Sequence, residues 1–391
     1  MAKRRGNNEG SIYKRKNGSW RAQISLEGKR LSFTANTRME CFDWLKKTQD
    51  QIDGGMTFSK SEYTVEKYLE EWIEVKKASL RPNTALQYES LVRNDIIPNL
   101  GKYKLHRLKL QRINRFYRLL VEDGRGVRTI RLIHSVFHSA LEHALRLGLV
   151  NKNPSHGAIL PRKKYHEMKI YNAEQVFSFL IAAKQSRFFI VYKLAFTTGM
   201  RQSELLGLKW SDVDWKNSTI KIQRQAQQVN GKGIIFLPPK TRSGIRQIII
   251  GRSILRELAD HKEKQDKFRM QRGDNWQDNN LIFATSNGTP FSQSNLMRDF
   301  YKVIDQSNLP RIRFHDMRHT AASLMINNGI PIVVVSKILG HSKPSVTLNI
   351  YSHCVSELQQ EAAKVMEEIT TPIEIEIAKT HSETRSQVRK I

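Results

Sequence analysis

Phe314-His315-Asp316-Met317-Arg318-His319-Thr320 is the stretch on which the reading of this chain turns. His315 and Arg318 lie three apart, so on a helix both project onto one face. A histidine and an arginine converging there present several hydrogen-bond donors to a single phosphate. His315 and His319 stand at i and i+4, a spacing that can grip a metal. The segment lacks the glutamate of H-E-x-x-H and has no third ligand nearby, so no metal is expected. Upstream, Thr197-Thr198-Gly199-Met200-Arg201-Gln202-Ser203-Glu204 puts Arg201 after a glycine, at the start of a helix that carries Glu204. Taken alone that is weak, because most such arginines are merely solvated. Downstream come Leu339-Gly340-His341-Ser342 and, ten residues after His341, Tyr351 within Thr347-Leu348-Asn349-Ile350-Tyr351-Ser352-His353. A lone tyrosine is usually a half-buried core residue, and its phenol attacks poorly unless cations lower a pKa near 10.

The rest of the 391 residues says what such a cluster would meet. Lys+Arg is 65 against Asp+Glu 37, a formal net charge of +28. The excess is spread along the chain: +7 in residues 1–60, +10 in 61–165 and +11 in 166–391. A polyanion is the natural partner, since each phosphate neutralised releases counterions. No polybasic cluster sits beside an apolar helix, and no apolar run reaches the roughly 18 residues of a membrane span. The opening MAKRRGNNEG leads into polar sequence, not an export signal. Two cysteines, Cys41 and Cys354, argue against a disulfide framework or a cysteine-rich zinc site. A cytoplasmic, nucleoid-associated protein without membrane contact is expected.

The hydropathy pattern predicts several domains, mainly α with small β-sheets (an α+β class). Residues 1–60 read as three short strands, Ser11–Lys14, Trp20–Leu26 and Lys29–Phe33, broken by Asn17-Gly18 and Glu27-Gly28, then a helix from Thr37 to Ile52. Lys14, Arg15, Lys16 and Arg21 could face a DNA groove from that sheet. Residues 61–165 read as four or five helices and a proline-punctuated linker, Pro154 to Lys164. Val65, Tyr68, Leu69, Trp72 and Ile73 form one apolar stripe. Near Leu110–Leu120, Arg112, Arg115 and Arg118 share a face opposite Ile113, Phe116 and Tyr117. Residues 166–370 open helical, alternate like strands at Thr219–Ile222, Ile234–Leu237 and Ile245–Ile250, and return to helices. Lys264–Asn280 is polar and reads as a loop. The tail, 371–391, is of mixed charge.

Together the three segments resemble the tyrosine recombinase (phage integrase) family. Its signature is an arginine in one box, H-x-x-R and then His or Trp in a second, and a tyrosine soon after. Arg201, His315, Arg318, His341 and Tyr351 match in that order, within TTGMRxxELLGLKW, FHDMRHTAAS, ILGHS and IYSH. The likeness is specific over about 170–360. By layout alone it extends to 64–165 as a helical core-site-binding domain and to 1–60 as a three-stranded arm-site-binding domain. It implies a mixed α/β catalytic domain at 166–370 and a site-specific recombinase of a temperate phage or integrative conjugative element. Such an enzyme integrates and excises DNA through a 3′-phosphotyrosine. The resemblance implies that Arg201 and Arg318 clamp the scissile phosphate, His341 bonds it, His315 assists proton movement and Tyr351 attacks. A family lysine on a β-hairpin serves as general acid. Lys240, in the turn between two strand-like runs, is its match, with Lys221 and Lys232 as fallbacks; Arg242 and Arg246 are further DNA-facing candidates. No cofactor is implied, and no G-x-x-x-x-G-K-[ST] loop is present.

The implied partners are double-stranded attachment sites of core and arm type and a homotetramer on synapsed DNA. Candidate accessory partners are an excisionase and a host DNA-bending protein. Ser356–Ile369, with Leu358, Ala362, Val365 and Met366 near one face, is the candidate for packing on a neighbouring protomer. Two alternatives remain at this level: a type IB-like topoisomerase using the same residues, and a DNA-binding regulator with a degenerate catalytic domain.

Overall fold

The computed structural model describes residues 10–26, 29–53, 63–163, 169–345, 347–348, 363, 365–367 and 369–370. The chain divides into two compact units, 1–165 and 166–391.

The first unit begins with strands β1 (Ser11–Lys14), β2 (Trp20–Leu26) and β3 (Lys29–Ala35), an antiparallel meander in that order. Gly18, at φ +85°, turns the first hairpin, and the Arg15 amide donates to the Ser19 carbonyl across it. Alternation along β2 buries Ala22 and Ile24, where Cys41 and Leu45 of helix α1 (Arg38–Asp53) are also buried. Phe33 stacks on Trp44 at 5.5 Å. The third strand runs to Ala35, past the expected Phe33.

Helices α2 (Val65–Lys77), α3 (Pro82–Leu91), α4 (Ile97–Leu100), α5 (Leu110–Glu122) and α6 (Val127–Arg146) follow. Thr64 caps α2 by accepting the Lys67 amide, and Pro82 opens α3 where no N–H is needed. The stripe read from the sequence (Val65, Tyr68, Leu69, Trp72, Ile73) is buried against Ile113, Phe116, Ile133 and Phe137. Each such side chain contributes about 1.5–3 kcal/mol by leaving water. Gly148, at φ +64°, ends the last helical segment.

The second unit contains α7 (Ala173–Ala182), α8 (Phe189–Thr198) and the short α9 (Gln202–Leu205). Strands β4 (Val213–Asp214), β5 (Thr219–Ile222), β6 (Gln225–Val229), β7 (Gly233–Leu237) and β8 (Arg246–Ile249) come next. Then α10 (Arg252–Arg272), α11 (Gln293–Gln306), α12 (Asp316–Asn327) and α13 (Ile332–Leu339) complete it. β4, β5 and β8 form one antiparallel sheet, and β6 with β7 a separate hairpin. An aromatic core of Phe179, Tyr192, Phe300 and Phe314 lies beneath.

Two expectations change here. Gln225–Val229 is a strand that the sequence hides, because Gln-Ala-Gln-Gln-Val lacks apolar alternation and is held by backbone pairing to β7. The expected loop Lys264–Asn280 is helical up to Arg272. Its Lys, Gln, Arg and Met residues are good helix formers, and Lys262–Asp266 and Lys267–Glu263 pair one turn apart. Among the described residues no helix is long and apolar enough to cross a membrane. Most of Ser356–Ile369 and all of 371–391 lie outside the described residues; Val365, Met366 and Ile369 are helical and exposed.

Candidate active site

The site is assembled from four turns that only the fold brings together. α8 ends at Gly199, left-handed at φ +61°, where a Cβ would stand 2.5 Å from Leu339 Cδ2. A side chain at this left-handed position would be strained and would also push Leu339 aside, so glycine suits the approach of α8 to the end of α13. The chain turns and Arg201 opens α9. Its amide donates to Glu204 Oε2 (3.0 Å) and its Nη1 to Glu204 Oε1 (2.7 Å). Arg201 keeps 37% of its side chain exposed, whereas Glu204 has 2%.

Glu204 has a second cation. Arg246 Nη2 donates to Oε2 at 2.9 Å, and Arg246 Nε donates to the Ile338 carbonyl at 2.5 Å. Burial alone would raise the Glu204 pKa, but hydrogen bonds and charge from Arg246, then Arg201, hold it below the usual carboxylate value. The charged carboxylate therefore orients Arg201 from behind. Arg246, expected at the DNA surface, is only 7% exposed and is spent on this bridge, so we assign it to the scaffold. Nothing in the sequence couples it to Glu204, whereas the Arg201–Glu204 spacing of a helix start was visible.

Arg318, in the first turn of α12, is 3% exposed. Its Nη1 donates to the Gly199 carbonyl and its Nη2 to the Leu339 carbonyl, both at 2.8 Å. One planar guanidinium thus ties α8, α12 and α13 together, which a point-like ammonium would do poorly. His315 stands exposed just before α12, and its ring meets His319 edge-on at 5.1 Å. Asp316, which accepts the Arg313 amide (2.8 Å) and Nη2 (2.7 Å), anchors this helix start.

His341 follows Gly340, at φ +72°, and its Nδ1 meets the buried Thr347 hydroxyl at 2.8 Å. That leaves Nε2 as the ring nitrogen turned away from this bond. Desolvation, then Arg318 and Arg201, push the His341 pKa down to about 4. Desolvation, then His315, bring His319 to about 4. His315 is lowered too, by desolvation and then by Arg318 and Arg201. Burial is the largest cause for all three imidazoles, and for His315 and His341 the charges of Arg318 and Arg201 add to it.

Lys240 is exposed between β7 and β8. The expected hairpin turn is not what carries it: β7 pairs with β6 and β8 with β5, so Lys240 lies on the connection between two sheets. The β6–β7 turn carries Lys232 instead, and Lys221 lies on β5 opposite Gln247. The Lys240 connection nevertheless runs against the Gly340 turn, since a Cβ on Gly340 would stand 2.9 Å from the Ser243 carbonyl. Arg242 is exposed on the same connection. Tyr351 lies outside the described residues.

In the first unit Lys14, Arg15 and Lys16 are exposed at the first hairpin, while Arg21 donates across the sheet to Ser32 (2.9 Å). Arg112, Arg115 and Arg118 are exposed on α5. Arg112 lies over the Tyr103 ring at 3.7 Å, and Arg118 pairs loosely with Glu122 at 3.6 Å.

Residues 168–357 match the phage integrase family, and residues 64–120 match the phage integrase N-terminal SAM-like domain. The chain belongs to the phage integrase family of tyrosine recombinases. This integrase is 29% identical over 360 residues to a tyrosine recombinase XerC-like protein of Caldanaerobacter subterraneus subsp. tengcongensis, covering 87% of this chain and 92% of that one. Its fold is similar to that of the Tn1549 transposon integrase solved with transposon right end DNA (TM-score 0.66, 23% identity, 76% and 99% of the two chains). A lambda integrase tetramer bound to a Holliday junction also shares it (TM-score 0.54, 19% identity, 89% and 96%).

Proposed function

We propose that this integrase cuts and rejoins the attachment sites of its mobile element through Tyr351, with Arg201 and Arg318 over the scissile phosphate. The observation that carries this is the anchoring of both guanidiniums by the protein, Arg318 on two backbone carbonyls and Arg201 on buried Glu204. Donors fixed before the substrate arrives need no reorganisation when charge develops on the phosphoryl oxygens.

The Tyr351 oxygen attacks phosphorus in line. The bond to the 5′ oxygen breaks, and that oxygen takes a proton from Lys240, leaving a 3′-phosphotyrosine. His315 assists the tyrosine's deprotonation and His341 Nε2 donates to a phosphate oxygen. The covalent link conserves the bond energy, so a 5′-hydroxyl from a partner duplex reverses the step without nucleotide or metal. Residues 61–165 grip the core site through α5, residues 1–60 read arm sites, and four protomers hold two duplexes, with an excisionase and a host bending protein setting direction. Relatives named as integrases and recombinases favour this over the topoisomerase and the degenerate regulator.

The test is a nicked suicide substrate carrying the element's own attachment site. Tyr351→Phe should lose the covalent protein–DNA band while binding the site nearly as tightly as wild type. A Phe variant that still nicks DNA would overturn the assignment.

A further inference from the structure

Far in sequence from the catalytic boxes, the first unit holds a second cluster of chemistry-bearing side chains. His138 and Glu142 lie one turn apart on α6, and His156 reaches them from the loop that follows it. His156 Nε2 is 2.9 Å and His138 Nε2 3.8 Å from Glu142 Oε1, and the three ligand atoms lie within 4.8 Å of one another. A tetrahedral zinc ion with bonds of about 2.0–2.1 Å spaces its ligand atoms about 3.4 Å apart. The observed separations straddle that value.

What lies behind the cluster matters more than its size. Asn153 and Ser155 are 3% and 1% exposed. The Asn153 amide is fixed in orientation, with Nδ2 donating to Glu142 Oε1 (2.7 Å) and Oδ1 accepting the Ser155 amide (2.9 Å). The Ser155 hydroxyl, with one hydrogen, gives it to Asn153 Oδ1 at 2.6 Å. It can therefore only accept from His138 Nδ1, 2.8 Å away. In the neutral ring this places the hydrogen on Nδ1 and the lone pair on Nε2, facing a carboxylate oxygen. Two acceptors point at one space, the arrangement in which buried partners orient a metal-binding histidine.

We propose that His138, Glu142 and His156 bind a divalent cation of the zinc class, with water in the fourth position. Two imidazoles and a carboxylate suit zinc better than calcium or magnesium. The ion clips the Asn153–His156 turn onto α6, at the point where the chain leaves the helical bundle. Its role is structural and lies outside the cleavage chemistry.

The experiment uses full-length protein stripped with chelator, titrated with Zn²⁺ against a chromophoric competitor, with hydrogen exchange followed in the same samples. Wild type should bind one equivalent tightly and slow exchange across residues 150–160. His156→Ala and Glu142→Gln should each weaken that binding at least about tenfold and abolish the protection. His156 is 65% exposed, so its replacement leaves the core intact. Binding no tighter than about 10 μM in wild type overturns the proposal. So does affinity unchanged in both variants, or protection that maps to His315 and His319 instead.

Discussion

Arg318 and Arg118 are the same residue in two regimes. Arg318 is buried and held by the Gly199 and Leu339 carbonyls. Arg118 is 70% exposed, with only a loose contact to Glu122, itself 58% exposed. An exposed pair of that kind contributes about 0–1 kcal/mol and does little to fix Arg118 in place. A guanidinium fixed in a desolvated pocket acts by position as well as charge. The protein thus holds Arg318 and Arg201 in place and leaves arginines such as Arg118 in solvent.

Removing the anchored cation should be the most damaging change. Arg318→Ala should cost about 3 kcal/mol or more of transition-state stabilisation, measured as the single-turnover cleavage rate on a suicide substrate. Arg318→Lys, which keeps charge but loses the fork, should recover little. A lysine variant near wild type would show that charge without geometry suffices.

Next is the anchor itself. Glu204→Gln leaves Arg246 buried without its counter-charge and should cost about 3 kcal/mol of stability in urea unfolding near pH 7, and cleavage should slow as Arg201 loses its support. The folded pKa of Glu204 is below its unfolded value, so this contribution is present above the unfolded pKa, near 4.3, and lost as pH falls through the folded one. The variant and wild type should therefore converge in acid. Equal stability near pH 7 would contradict the pairing.

The imidazoles give a smaller effect on the same axis. Unfolded histidine takes up its proton near pH 6.5, whereas His319 and His341 do so near 4. Between those values the unfolded chain binds more protons, so stability should fall as pH drops from 6.5 toward 4 and be indifferent to these groups above 6.5. A urea midpoint that holds steady from about pH 7 to about pH 5 would contradict these depressed values.

Removing the solvated arginines should have the smallest effect. Arg115→Ala or Arg118→Ala should each change stability by no more than about 0.5 kcal/mol, and Arg112→Ala, which also loses the Tyr103 ring, by about 0.5–1 kcal/mol. Each should flatten the salt dependence of site binding by about one unit of slope. A change in cleavage rate at saturating DNA would place α5 in the chemistry.

Legibility followed the same division. The apolar stripes of α2, α5 and α6 and the turn at Asn17-Gly18 were readable because they are local, set by periods of 3.6 and 2 and by one glycine. The motif residues were readable as words, but what unites them was not. Glu204 meets Arg246 across 42 residues and Arg318 meets Gly199 across 119, pairings made by tertiary approach alone. The β6 strand and the far end of α10 were missed for a related reason: polar residues there are held by pairing or propensity and show no apolar period. His138, Glu142 and His156 likewise gave no motif, since their grouping depends on a loop folding back over α6.

The most direct test of the account is to map the covalent link. Wild-type protein would be reacted with a suicide substrate and digested, and the DNA-bound peptide sequenced by mass spectrometry. A single adduct is expected, at Tyr351 and joined to a 3′-phosphate. An adduct on another residue would contradict cleavage through Tyr351.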